Sequence, residues 1–258
     1  MNIDIQILVD IAIEAGEAIM KIYTTDFDVE IKDDNSPLTK ADKAGNDIIV
    51  KALQNNFPEI PIISEENKLI DFSVRKDWDY CWLVDPLDGT KEFIKKNGEF
   101  TVNIALIKNG TPIAGVVHIP AQNKTFYAQL GQGTYLLENG ITILQKLRPL
   151  AEDGILKIVG SRSHSTPELE AYVEKQKANF KEVEFVAAGS SLKFCLLAQG
   201  KADVYPRLGP TMEWDTAAGH IIATEAGAQV HIYDSENPLV YNRENLLNPY
   251  FVVKNPNL

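Results

Sequence analysis

The chain has 258 residues, 45% of them apolar and 24% charged, enough to bury a substantial core as one large domain or two smaller ones. A net charge of −11 argues against a general nucleic-acid binder, which carries a basic patch or stripe, although carboxylates neutralised by divalent cations can still draw in a small anion. No apolar run approaches the roughly 18 residues of a membrane span, and the start, MNIDIQILVDIAIEAGEAIMKIY, lacks the basic leader of a secretory signal. A soluble, cytoplasmic protein is expected, and loose attachment to the inner face of a membrane would leave no mark in such a sequence.

Ile7, Leu8, Ile11, Ala15, Ile19 and Ile22 recur at helical spacing and predict a first helix ending near Tyr23. NSPLTKADKAGNDIIVKALQNNFP reads as a second helix, with Thr39 and Asp42 as a capping box and Pro58 closing it. Two short apolar runs follow, IPIISEE and YCWLVD, which read as strands delivering carboxylates to an edge. FTVNIALIKNGTPIAGVVHIP predicts a strand pair around Asn109-Gly110. KTFYAQLGQGTYLLENGITI adds hairpin signals at Gly131-Gln132-Gly133 and Asn139-Gly140, so an antiparallel meander is expected.

Past LRPLAEDG, strand and helix alternate. The series is KIVGS, a helix over 167–179, EVEFVAAG, a helix over 190–199, ADVYPR, a helix from about Asp215, AQVHIY and one last short strand. A soft boundary near residue 153 divides an N-terminal α+β domain, 1–153, from a C-terminal α/β domain, 154–258. Cys81 and Cys195 sit in apolar stretches without metal or redox spacing and read as buried thiols in a reducing compartment.

The chemistry concentrates in WLVDPLDGTKEF. Asp85 and Asp88 close an apolar run, and Pro-Leu-Asp-Gly alone could be a turn feeding a helix. The upstream Glu65 and Glu66 add carboxylate that nothing nearby neutralises, and a hard cation such as magnesium would. Gly89 permits close backbone approach, and a helix starting at Thr90 would aim unpaired N–H groups at an anion. Lys91, Lys95 and Lys96 read individually as solvated. Far downstream, Asp215 in GPTMEWDTAAGH is either a helix N-cap or a further ligand, and the small residues Thr216, Ala217, Ala218 and Gly219 would let its helix approach another element closely.

SEE, DPLDGT and WDTAAG, in this order, resemble the inositol monophosphatase superfamily of magnesium-dependent, lithium-sensitive phosphomonoesterases. More narrowly, NSPLTKAD, WLVDPLDGTKEFIKKNGEFTVNIALI, SRSH, GSSLKFCLLAQG, YPR and GPTMEWDTAAGH are similar to the bacterial 3'(2'),5'-bisphosphate nucleotidases of sulfate assimilation. The resemblance runs nearly end to end and implies a layered αβαβα sandwich.

It also implies two or three Mg2+ ions. Glu65, Asp85 and the Leu87 carbonyl would bind one, and Asp85, Asp88 and Asp215 a second, with Glu66 in an outer shell or at a third. Thr90 and Asp42 would position the attacking water, and Glu65 would orient or deprotonate it. The scissile phosphate would lie against Glu65, Leu87, Asp88, Gly89, Thr90 and Asp215.

At the nucleotide end stand His164, Gly189, Ser190, Lys193 and Arg207, with Ser190 starting a helix and Lys193 one turn on to cradle a 5'-phosphate. Spacing alone favours His164 as a surface loop residue, Ser190 as a helix N-cap, Lys193 as a solvated lysine and Arg207 in packing or an ion pair, and the resemblance reverses that preference. His118, His220 and His231 receive no role. The implied reaction removes the 3'-phosphate of adenosine 3',5'-bisphosphate, and of its sulfated analogue PAPS. An inositol or sugar phosphatase and a non-catalytic nucleotide or metal sensor are the rivals, and monomer or homodimer stays open.

Overall fold

Asp4 accepts the Gln6 N–H at the start of α1, Ile5–Tyr23, whose buried stripe runs from Leu8 through Ile19. The computed structural model describes residues 3–25, 37–150, 154–161 and 166–258. α2, Pro37–Asn56, begins two residues before Thr39. The expected capping box of Thr39 and Asp42 is therefore not formed. Pro37, with its fixed φ, occupies the first helical position, and Thr39 and Asp42 lie inside the helix.

Among the described residues two sheets form. The first runs in the order β1, Ile62–Ser64; β2, Tyr80–Asp88; β3, Thr101–Lys108; β4, Thr111–Ile119; β5, Lys124–Gln129; β6, Gly133–Glu138; and β7, Ile141–Gln145. β1 is parallel to β2, and the rest is the expected antiparallel meander. Asn109 and Gly110 both have positive φ, 47° and 78°, as the two-residue β3–β4 turn requires. The short helix α3, Phe72–Arg75, carries no strong sequence signal and was not expected.

The second sheet has the order β11, Gln229–Ile232; β12, Phe251–Lys254; β10, Val204–Arg207; β8, Ile155–Gly160; and β9, Glu182–Ala187. Its helices are α5, Pro167–Lys177; α6, Leu192–Ala198; and α7, Ala217–Glu225, while α4, Thr90–Ile94, follows β2. The expected helix start at Ser190 is wrong. Ser190 has φ 40°, in the left-handed region, and α6 begins two residues later.

Side-chain alternation sets the layers. Trp82 and Val84 on β2 face a core shared with α1 and α2. Cys81 and Leu83 face the opposite way, into a core with α6, α7 and the second sheet's Tyr205, Phe251 and Val253. A third small core lies under α5. The layers are therefore α1/α2, first sheet, α6/α7, second sheet and α5, which is the αβαβα sandwich. Both cysteines are free and buried in the central core. No helix among the described residues is long and apolar enough to cross a membrane.

Candidate active site

Because β1 and β2 run in parallel, their C-terminal ends lie side by side, with Ser64 opposite Val84. Glu65 follows β1, its N–H donating to the Val84 carbonyl at 3.2 Å. Asp85 continues the inward-facing series of Cys81 and Leu83, so alternation alone turns it toward α7. The Asp-Pro-Leu-Asp stretch is a continuation of β2 rather than a free turn, with the β2–β3 register shifting between Asp85 and Asp88. Asp85 Oδ1 accepts the Leu87 N–H at 3.0 Å.

Asp215 sits just before α7. Its Oδ2 accepts the Met212 N–H at 2.9 Å, so it closes its own loop rather than capping the helix. The helix can approach because Gly115 of β4 has no side chain; a Cβ there would meet Ile221 Cγ2 at 2.6 Å and Ala218 Cα at 3.0 Å. Carboxylate oxygens of Glu65, Asp85 and Asp215 consequently lie within 4.8 Å of one another. Asp88 flanks this trio, with Oδ2 accepting the Ser191 N–H at 2.6 Å.

Asp42, on α2, faces the same group. One turn on, Asn46 accepts the Ser64 hydroxyl at 2.7 Å, fastening the helix to the end of β1. Thr90 opens α4 and is exposed, and no hydrogen bond joins it to Asp42 among the described residues. Glu66 is exposed beside Glu65.

This crowding shows in the protonation equilibria. Burial first, then Asp88, Glu65 and Asp215, holds Asp85 well above the ordinary carboxylate range. Burial, followed by Asp88, pushes Asp215 up to about 8. Burial, followed by Glu66 and Glu65, pushes Asp42 up to about 8. Glu65 is raised by burial and then by Asp88 and Glu66; Asp85 and the Trp214 indole partly offset this, although the indole falls short of hydrogen-bond geometry. An all-oxygen cluster that repels itself this strongly fits a hard divalent cation.

The opposite wall is cationic. A cleft of about 210 Å³ runs between Asp88, Asp215, Lys193 and Arg207. Lys193 is buried, donates to the Ser190 carbonyl at 2.5 Å and lies 5.5 Å above the Tyr205 ring. Burial lowers its pKa to about 8 against the pull of Asp88. Arg207 donates from Nη2 to the Pro210 carbonyl at 2.6 Å, while its Nε is buried without a hydrogen-bond partner among the described residues.

Gly89, at φ 96°, precedes α4 at a point where a Cβ would meet Phe100 Cα at 3.2 Å. The Gly189 N–H donates to Glu99 Oε2 at 2.9 Å, and a Cβ there would strike Glu92. Close packing already demands these glycines. Ser190 does not cap α6, since its left-handed backbone places it before the helix, and its Oγ meets Thr101 Oγ1 at 3.1 Å. His164 lies outside the described residues.

Sequence reasoning missed Thr101, Asn103 and Ser191. Ser191 Oγ donates to Asn103 Oδ1 at 2.7 Å and meets Thr101 Oγ1 at 2.8 Å, so these residues form the floor under Asp88. The available signal was two polar residues alternating with Val102 and Ile104 on a strand buried along nearly its whole length.

Comparison with known proteins accords with this geometry. The sequence profile of the inositol monophosphatase family matches residues 4–255. The 3'(2'),5'-bisphosphate nucleotidase CysQ of Escherichia coli strain K12 is 47% identical over 246 residues, covering 94% of this chain and 96% of the relative. The crystal structure of CysQ from Bacteroides thetaiotaomicron superposes with a TM-score of 0.90 at 46% identity, over 97% of this chain and 96% of that one. An inositol monophosphatase from Anabaena superposes with a TM-score of 0.73 at 27% identity, over 97% of this chain and 90% of that one.

Proposed function

The chain belongs to the inositol monophosphatase family, which is metal-dependent, and from that premise we propose that it is a Mg2+-dependent 3'(2'),5'-bisphosphate nucleotidase. It removes the 3'-phosphate of adenosine 3',5'-bisphosphate to give AMP and phosphate, acts also on PAPS to give APS, and serves sulfate assimilation in the cytoplasm. The observation that carries this reading is one cleft lined by Asp88 and Asp215, the second of which also belongs to the carboxylate trio with Glu65 and Asp85, and on its other side by Lys193 and Arg207. A phosphomonoester bearing a second phosphate matches both walls.

Glu65, Asp85, Asp88, Asp215 and the Leu87 carbonyl would hold the metal ions. When bound, divalent cations supply positive charge for the phosphoryl and leaving oxygens and lower the pKa of coordinated water. The chain's own part is positioning and proton handling. Thr90 and Asp42 orient the attacking water, and Glu65 accepts its proton. Water oxygen bonds to phosphorus as the bond from phosphorus to the 3'-oxygen breaks; that oxygen takes a proton from solvent to leave as a hydroxyl, and Glu65 returns its proton to solvent. Lys193 and Arg207 hold the retained 5'-phosphate, Arg207 through a donor fork that already has one buried N–H free.

A panel of adenosine 3',5'-bisphosphate, PAPS and inositol 1-phosphate, assayed for phosphate release with Mg2+ and again with added Li+, tests the assignment. Preference for the nucleotides, with loss of activity in EDTA and inhibition by Li+, is expected. Preference for inositol 1-phosphate would reject the nucleotide reading. Asp88→Asn is expected to lower kcat by about 100-fold, and an unchanged rate would reject the metal site.

A further inference from the structure

Glu65 and Asp215 meet although they belong to loops that are remote in sequence and follow strands of different sheets. A third segment, residues 242–248, lies between those loops and is bonded to both. On one side Arg75, 3% exposed and at the end of the segment that follows Glu65, donates from Nη1 to Asn242 Oδ1 at 2.8 Å and to the Arg243 carbonyl at 2.7 Å. Its Nη2 reaches the Glu244 carbonyl at 2.8 Å, and Asn242 Nδ2 returns a bond to the Arg75 carbonyl at 2.8 Å. Its Nε donates back to the Ile70 carbonyl at 3.2 Å, so the guanidinium also fixes its own loop.

On the other side stands Glu213, fully enclosed and two residues before Asp215. It accepts the Asn242 N–H at 2.5 Å and the Arg243 N–H at 3.1 Å, with the Arg243 guanidinium 3.1 Å away. The backbone repeats the connection, since the Glu213 N–H donates to the Leu246 carbonyl at 2.9 Å and the Asn248 N–H to the Thr211 carbonyl at 2.8 Å. Asn248 Nδ2 completes it on the Met212 carbonyl at 2.8 Å and Thr216 Oγ1 at 2.9 Å.

A buried ionisable group is unfavourable unless its hydrogen-bonding capacity is met. Here the two buried ionisable side chains, Arg75 and Glu213, do not bond to each other; each instead grips one side of the same short segment. We infer that Arg75, Asn242 and Glu213 form a tie-bar that sets the separation of Glu65 and Asp215, making them positioning residues for the metal site. The inference rests on the reading of Glu65 and Asp215 as metal ligands. Outer residues that orient ligands change metal affinity by about 10- to 100-fold when altered, and a tie acting as one unit makes changes at its two ends non-additive.

The test is calorimetric titration of the whole chain with Mn2+, independent of turnover. Asn242→Gly is the mild cut, because Asn242 has φ 57°, which glycine adopts freely, and the backbone N–H bond to Glu213 survives. It is expected to weaken Mn2+ binding about tenfold. Glu213→Gln is expected to do the same, and the double variant to be little worse than either single one. Ile158→Val, in the outer core under α5, serves as a destabilised control. Variants that lose melting temperature like this control but keep the wild-type Mn2+ affinity would overturn the tie-bar, as would additive effects. A wild-type chain that binds no Mn2+ would overturn the metal reading and the inference with it.

Discussion

The proposed 5'-phosphate wall rests on two single residues, Lys193 and Arg207. A buried lysine that survives beside Asp88 and an arginine with one unsatisfied N–H are poised for an added anion. Lys193→Met and Arg207→Ala are each expected to raise KM for adenosine 3',5'-bisphosphate about 10- to 100-fold, the worth of a hydrogen bond to a charged group. An unchanged KM in both would remove the 5'-phosphate from this wall. His118 shows a residue acting on stability instead. Its ring is 3% exposed, meets Thr125 Oγ1 at 2.9 Å, and is held by burial at a pKa of about 4, below its ordinary 6.5. Above pH 6.5 the imidazole is neutral in both folded and unfolded chains and costs nothing. As pH falls from 6.5 toward 4, only the unfolded chain takes up the proton, so stability declines by up to about 3 kcal/mol. His118→Gln should therefore narrow the gap between melting temperatures at pH 7 and pH 4.5, and an equal gap in wild type and variant would contradict this.

Among the elements, α7 matters most, since it places Asp215 and is seated on the bare backbone of Gly115. Gly115→Ala would drive a methyl into Ile221 and the helix backbone, at a cost of about 1–3 kcal/mol. Both the melting temperature and Mn2+ affinity are expected to fall, whereas an affinity equal to wild type would show that α7 does not set the position of Asp215. Most elements were legible in the sequence because periodicity and turn chemistry agree, as in the Asn109-Gly110 hairpin and the first helix ending at Tyr23. The boundaries that failed lie where a local side-chain rule competes with a tertiary bond. Ser190 reads as an N-cap, but its carbonyl is taken by Lys193 and its hydroxyl by Thr101. Thr39 and Asp42 fit a capping box, but Pro37 starts the helix earlier. The gathering of Glu65, Asp85 and Asp215 could be expected from the motifs, whereas the floor of Thr101, Asn103 and Ser191 depends on which strand faces α6. The grip of Arg75 on residues 242–244 spans most of the chain and leaves no local pattern at all.

At the level of the whole molecule, the carboxylates that meet come from the first sheet, at Asp85 and just past β1, and from the loop before α7, so a cation held by them would join the first sheet to the central helix layer. Mg2+ at 100 times its dissociation constant should add about 2.7 kcal/mol to the unfolding free energy. Thermal melts in Mg2+ and in EDTA check this, and coincident curves would mean that folding and metal binding are not linked. The first sheet also has an uneven rim. β1 spans three residues, Ile62–Ser64, and as an outermost strand it pairs on one side with β2. Opening such a short border strand breaks few ladder bonds, although it withdraws Ile63 from the central core. Each such breath would carry Glu65 off and bring it back, so amide deuterium uptake at Glu65 and Trp82, which bond across this border, should be rapid in the bare chain and slowed once a cation latches the strand shut.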